Sequence, residues 1–322
     1  MLAFFIILTA AIVPTYLYVR LFYWADRYER EPRWLATVAF LWGAIPAIIA
    51  SLIGEVIFEM PATEASMIGD TILGPLFEDA VVAPIVEELT KGFALLLIYW
   101  FFRREFDGVL DGLVYGALIG FGFAMTENAF YFVGAFDEGG FGNLAVVIIL
   151  RTIIFGLNHA FYTGFTGMGL GAARNARSQF ARWLWPVLGL SAAITAHGLH
   201  NFGADVAARN GLALLISLLV AAVGFGVVLL TVLLSWQQER KTIRTELAEE
   251  VGSTLSAEEY ARLTKHWRNP LRRPKSEQAA ASRRQLYIKL ALQKHRLRHL
   301  GVQREPTLPV QIAQTRKTIC DF

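Results

Sequence analysis

Long apolar runs separated by short charged loops make up this chain as far as about residue 236, after which the pattern turns polar and charge-dense. Residues 2–23 form the first run, long enough to cross the hydrocarbon core of a bilayer. No Lys or Arg precedes it, so it is expected to be a membrane helix and not a signal peptide. Residues 34–58 form the second, with Pro46 as the expected kink. Residues 71–102 are interrupted by Pro75 and Pro84. That pattern predicts a short interfacial or re-entrant piece, then a helix starting near Pro84, since proline suits a first helical turn. Residues 108–136, 144–171, 183–205 and 211–236 complete a set of seven expected spans. The predicted fold is therefore an all-α, polytopic membrane helix bundle.

Charge gives the bundle a direction. The Arg-bearing loops follow spans 1, 3 and 5, and a basic tail follows span 7, whereas the loops after spans 2 and 4 have no Lys or Arg. The positive-inside rule then puts the N-terminus outside and the C-terminus inside. Trp24, Trp34, Trp100, Trp183, Trp185 and Trp236 fall near span ends, where an aromatic belt sits. Composition agrees with a membrane protein: 55% of residues are hydrophobic, above the 45–50% typical of soluble domains. The single cysteine, Cys320, excludes an internal disulfide framework and a Cys-based metal cluster.

The net charge of +3 hides an asymmetry. Residues 1–236 carry 12 Lys/Arg against 18 Asp/Glu, and residues 237–322 carry 18 against 9. Two domains follow: a membrane-embedded part, 1–236, and a basic, mostly helical cytoplasmic tail, 237–322. Beside a membrane such a tail points to anionic lipid and not to nucleic acid. Ser256–Glu259 and Ser282–Gln285 have capping-box spacing. Leu286, Leu290, Gln293 and Leu297 share a helical face amid Lys and Arg. This reads either as a helix lying on the inner leaflet or as a solvated charged tail.

Against the apolar background a few polar residues stand out. Glu87-Glu88-x-x-Lys91 opens the helix of the third segment, with Lys91 at i+4 and i+3 from the two acids. Charges inside a bilayer cost about 2.5–3.5 kcal/mol each even on the lowest scale, so they must face protein or water. The bland alternative is a structural Glu–Lys pair. Glu127 lies in the fourth segment on a stripe with Gly116, Gly120 and Phe123. Gly112, Gly116 and Gly120 form a small-residue face suited to close helix packing. The fifth segment carries Arg151, Phe155, His159 and Thr163 at i+4 steps, where Arg151 is expected to neutralise an acid. The sixth carries His197, His200 and Asn201.

Under the expected topology Glu87, Glu88, Glu127, His197 and Asn201 share the outer half of the membrane, with His159 near its middle. Carboxylates and imidazoles at one depth suit a catalytic or metal site: both ligate Zn2+, and a further Glu can take a proton from water. There is no His-Glu-x-x-His, no Gly-x-Ser-x-Gly and no phosphate-binding glycine loop.

Glu87-Glu88-x-x-Lys91, Phe123-x-x-x-Glu127-Asn128, His159 and His197-x-x-x-Asn201, in that order, resemble the PrsW family of intramembrane proteases. That family is similar in turn to the CAAX-prenyl-protease-like and bacteriocin-processing membrane proteins, whose second motif ends in His where this chain has Glu127. The resemblance covers about residues 70–205. It implies hydrolysis of peptide bonds in membrane-anchored protein substrates, such as anti-sigma factors, in a bacterial cytoplasmic membrane. It also implies roles: Glu87 or Glu88 activates water, Glu127, His159 and His197 bind a metal such as Zn2+ or position water without one, and Asn201 donates to the oxyanion. The competing reading is a transporter or proton relay, which requires polar residues through to the cytoplasmic face. The seventh segment is nearly devoid of them. A third is a non-catalytic protein that keeps the site and binds partners.

Overall fold

The computed structural model describes residues 1–28, 30–65, 73–266 and 278–321. Among the described residues it is helical apart from turns and an isolated bridge between Val251 and Leu255. The helices are α1 (Leu2–Ala25), α2 (Arg33–Trp42), α3 (Ile48–Ala65), α4 (Leu73–Phe77), α5 (Ala83–Phe101), α6 (Val109–Ile148), α7 (Asn158–Asn175), α8 (Gln179–Ala207), α9 (Leu214–Ala248), α10 (Ala257–His266), α11 (Gln278–Leu300) and α12 (Leu308–Cys320). They form two compact units: Met1–Asp26 with Glu31–Val232, and Arg27–Arg30 with Leu233–Phe322.

In the first unit α6 is the centre. From Gly112 to Ala124 it is buried on every side, as expected of a helix that is apolar all round. The outer helices turn their apolar residues outward instead: Phe4, Leu8, Leu17, Leu215, Leu219 and Val223 are all exposed. An apolar exterior of this extent fits a protein solvated by lipid. Four helical stretches among the described residues are long and apolar enough to cross a membrane: Leu2–Ala25, Arg33–Phe58, Val109–Asn175 and Gly211–Ala248. The 67 residues of Val109–Asn175 are not one straight rod. The chain breaks at Gly139 and at Gly140, whose φ of 63° lies where glycine is favoured. It then passes through a wide π turn, Ile149–Ile154, before α7.

Two more π turns occur, at Gly43–Ala47 and Glu78–Val82, and prolines explain both. Pro46 and Pro84 have no N–H, so the regular i→i−4 ladder cannot continue through them. Around Pro46, the Ile48 N–H bonds to Ile45 O, and Thr126 Oγ1 from α6 donates to the Ala44 carbonyl at 2.8 Å. Before Pro84, the Ala83 N–H bonds to Glu78 O, and Asn201 Nδ2 from α8 donates to Asp79 O at 2.8 Å. At the third turn, Tyr18 OH from α1 donates to Thr152 O at 2.7 Å. Each irregular turn is thus completed by a side chain from a neighbouring helix, which is how lipid-embedded backbone tolerates such breaks. The piece before Pro84 is accordingly continuous with α5 through a π turn.

The second unit has its own core, with Ile243, Leu247, Tyr287, Leu290, Ile312 and Ile319 buried together. Leu286 and Leu297 pack against that core, so the apolar face of α11 is covered within the unit and is not left free to lie on a leaflet. A charged knot ties its helices: Glu250 accepts from Lys294 Nζ at 2.6 Å and from Arg316 at 2.7 and 3.1 Å. Ser256 caps α10, accepting from the Glu259 N–H at 3.1 Å. Ser282 lies inside α11, which starts four residues earlier at Gln278.

Candidate active site

The paired acids lie on the first turns of α5, just after the proline-induced π turn. Glu87, Glu88 and Lys91 are all buried, Glu88 and Lys91 completely. Lys91 Nζ donates to Glu87 Oε2 at 2.8 Å and to Glu88 Oε1 at 2.9 Å. It also lies 3.3 Å from His159 Nδ1 and 3.6 Å above the centre of the Phe123 ring, whose negative face attracts a cation. Glu88 is fully engaged: its Oε2 accepts from Thr163 Oγ1 at 3.0 Å, and its Oε1 lies 3.2 Å from His197 Nδ1. Glu87 has one oxygen on Lys91, and its Oε1 accepts no hydrogen bond among the described residues.

Close helix packing brings His159 here. A Cβ at Gly120 would lie 2.2 Å from His159 O, and one at Gly116 would lie 2.5 Å from Thr163 O. Only glycines let the α6 and α7 backbones approach so closely, which is the role expected of the glycine face. His159 is the second residue of α7, directly after the break that ends the Ile149–Ile154 turn, and not in the middle of a continuous span. Its Nε2 lies 2.9 Å from Glu127 Oε2. The same Glu127 oxygen is 2.6 Å from an Arg151 nitrogen, while Arg151 Nε donates to Asn128 Oδ1 at 2.6 Å. Arg151 neutralises an acid, as its place in the sequence suggests. The resemblance makes Glu127 a ligand, but the structure puts it behind His159, on the opposite ring nitrogen from Lys91.

α8 supplies His197, buried between Glu88 and the ring of Tyr162, which stacks on it with centroids 4.8 Å apart and planes 16° apart. Asn201, carried over as an oxyanion donor, donates one amide hydrogen from Nδ2 to Asp79 O. The third histidine, His200, stands apart with its ring against Phe155. The i+4 step from His159 to Thr163 is the sequence signal for Thr163, whereas the Tyr162 stack depends on α8 and leaves none.

Ligand atoms of Glu87, Glu88, His159 and His197 all lie within 4.8 Å of one another. Two carboxylates and two imidazoles are a donor set that fits Zn2+ or a similar divalent ion. The buried atom at their convergence is Lys91 Nζ, itself a cation, so the set fits one cation at a time.

Acids, imidazoles and an ammonium gathered in the interior of an apolar helical bundle mark a functional site of a membrane protein. Residues 31–238 match the PrsW family intramembrane metalloprotease description, and the chain belongs to that family. It is 29% identical to Protease PrsW of Bacillus subtilis (strain 168) over 62% of this chain and 82% of that protein. It is 28% identical to Protease PrsW of Geobacillus kaustophilus over 56% and 72%, and 32% identical to that of Clostridioides difficile over 42% and 56%. No solved structure matches. This is an integral membrane protein of an intramembrane protease family, and membership favours proteolysis over the transport alternative.

Proposed function

We propose that the chain hydrolyses a peptide bond of a membrane-anchored protein, of the anti-sigma-factor kind, with Glu87 as the base that activates water. One observation carries the assignment: among the described residues, Glu87 has an oxygen that accepts no hydrogen bond, while both oxygens of Glu88 are held by Lys91, Thr163 and His197. Glu88 is then a positioning carboxylate, and Lys91 and the two imidazoles offset the negative charge that develops on the scissile carbonyl oxygen. Glu127 orients His159, and Asn201 holds the turn from which α5 begins. A divalent cation, when bound, would be held from among Glu87, Glu88, His159 and His197 and would polarise the carbonyl and acidify water. By the positive-inside argument, the N-terminus is outside, seven segments cross, and the 237–322 tail is cytoplasmic.

The test is cleavage of a membrane-anchored reporter in proteoliposomes. Glu87→Gln is expected to reduce turnover by about 10²–10⁴-fold, the range for loss of a general base. Unchanged cleavage by Glu87→Gln would sink the assignment.

A further inference from the structure

The place where the donor set converges is occupied by a side chain of the same helix. Lys91 Nζ touches Glu87 Oε2, Glu88 Oε1 and His159 Nδ1 at 2.8, 2.9 and 3.3 Å, and His197 Nδ1 lies 3.2 Å from the same Glu88 oxygen. The ammonium is completely buried and rests on the Phe123 ring. Three carboxylates gather here, Glu87, Glu88 and Glu127, against two fixed cations, Lys91 and Arg151. The cluster is therefore one positive charge short while its imidazoles are neutral. Replacing the ammonium by a divalent ion balances the carboxylates, whereas adding that ion beside the ammonium sets two cations within a few Å in a low-dielectric interior.

We propose that Lys91 is the built-in competitor for the metal position: its ammonium and a divalent cation occupy the Glu87–Glu88–His159–His197 cluster alternately, and Lys91 sets the affinity for the ion. The ammonium holds the paired carboxylates in register when no ion is bound. A divalent ion enters only as the lysine chain swings off its seat on Phe123. Lys91 is thus a determinant of metal selectivity and loading, not a ligand.

Zinc binding to the purified full chain in detergent, by equilibrium dialysis with elemental analysis, tests this directly. Lys91→Gln removes the competing charge and is expected to bind Zn2+ at least tenfold more tightly than the wild type, while Lys91→Arg binds no more tightly. His159→Ala in the Lys91→Gln background returns the affinity to the wild-type value or below. Equal or weaker binding by a folded Lys91→Gln overturns the proposal. If Lys91→Gln does not fold, the wild type decides. Under saturating Zn2+, acetylation of the Lys91 amine by acetic anhydride, which releases acetate, read by peptide mass spectrometry, should increase several-fold, and unchanged or lower labelling overturns the proposal. These readouts report the cluster alone, so their failure is distinguishable from failure of the cleavage test.

Discussion

Glu127 Oε2 and His159 Nε2 lie 2.9 Å apart, on the side of the imidazole ring away from Lys91. Glu127 thereby fixes which ring nitrogen faces the acids, the arrangement found behind many metal-binding or catalytic histidines. Arg151 holds Glu127 in turn. Glu127→Gln should lower cleavage by about 10–100-fold, the usual cost of losing such a partner. Arg151→Met should cost a similar factor. Because both act through one imidazole, the double variant should lose less than the product of the two single losses. Multiplicative losses would mean that they work independently.

Thr163 and Glu88 give a cleaner substitution. Thr163 Oγ1 donates to Glu88 Oε2 at 3.0 Å, and both residues are completely buried. Thr163→Val preserves shape but strands a buried carboxylate oxygen, at about 1–3 kcal/mol. A lowered thermal midpoint and reduced cleavage are expected, with Thr163→Ser largely restoring both. Equal behaviour of the Val and Ser variants would show that the hydroxyl does not hold Glu88.

Gly120 sits where α6 crosses α7, and a methyl there would meet His159 O at 2.2 Å. Gly120→Ala must push the helices apart and displace His159, costing about 1–3 kcal/mol or more. Gly134, on the same helix, has nothing within 4 Å of its would-be Cβ, so Gly134→Ala should leave stability unchanged or slightly raised. Thermal unfolding of the two variants in one detergent compares them. Matching midpoints would refute the close-packing argument.

The second unit offers a pH test at a residue outside the candidate spans. Burial opposes ionisation of Glu250, but hydrogen bonds from Arg316, Lys294 and Thr254 outweigh it and hold the carboxyl down to about 2. A depressed folded-state pKa contributes stability at pH above the unfolded value, roughly 4.3, and that contribution fades as pH falls toward 2. Protection of α11 amides of the full chain against hydrogen exchange, taken relative to the unstructured-peptide rate at the same pH, should therefore fall across this window in the wild type. Glu250→Gln should exchange faster at neutral pH and show less change on acidification. Identical profiles would remove Glu250 as the determinant.

Much of the site is legible in the sequence because its signals are local. Glu87, Glu88 and Lys91 meet through helical spacing alone, and the charge of each in an apolar run draws attention to it. The glycine face of α6 likewise announces close packing. What escapes is whatever depends on register between helices. The choice of Glu88, not Glu127, to face His197 is set by how α5, α7 and α8 rotate against one another. So is the stacking of Tyr162 on that histidine. The π turns are half legible: Pro46 and Pro84 mark two of them, but the side chains that complete them come from Thr126 and Asn201, about 80 and 117 residues further on. In the tail, Leu286, Leu290 and Leu297 read as an amphipathic face, and periodicity alone does not distinguish a leaflet from a protein core as what covers it.

Asn201 brings two roles into competition. An oxyanion donor acts on the reacting carbonyl, and removing one typically lowers turnover by about 10²–10³-fold while leaving stability alone. In the structure its Nδ2 instead donates to Asp79 O, a carbonyl that loses its usual Ala83 partner at the π turn. One turn earlier on α8, a Cβ at Gly198 would lie 2.4 Å from Ala80 O, so the same face of α8 docks twice on the turn that leads into Glu87. Asn201→Ala should therefore lower the thermal midpoint, by about 1–3 kcal/mol of stability, together with cleavage. Asn201→Gln, which keeps the amide but lengthens the chain, should recover part of the stability. A stable Asn201→Ala protein that has lost turnover a hundredfold would restore the oxyanion role and leave the Asp79 contact without weight.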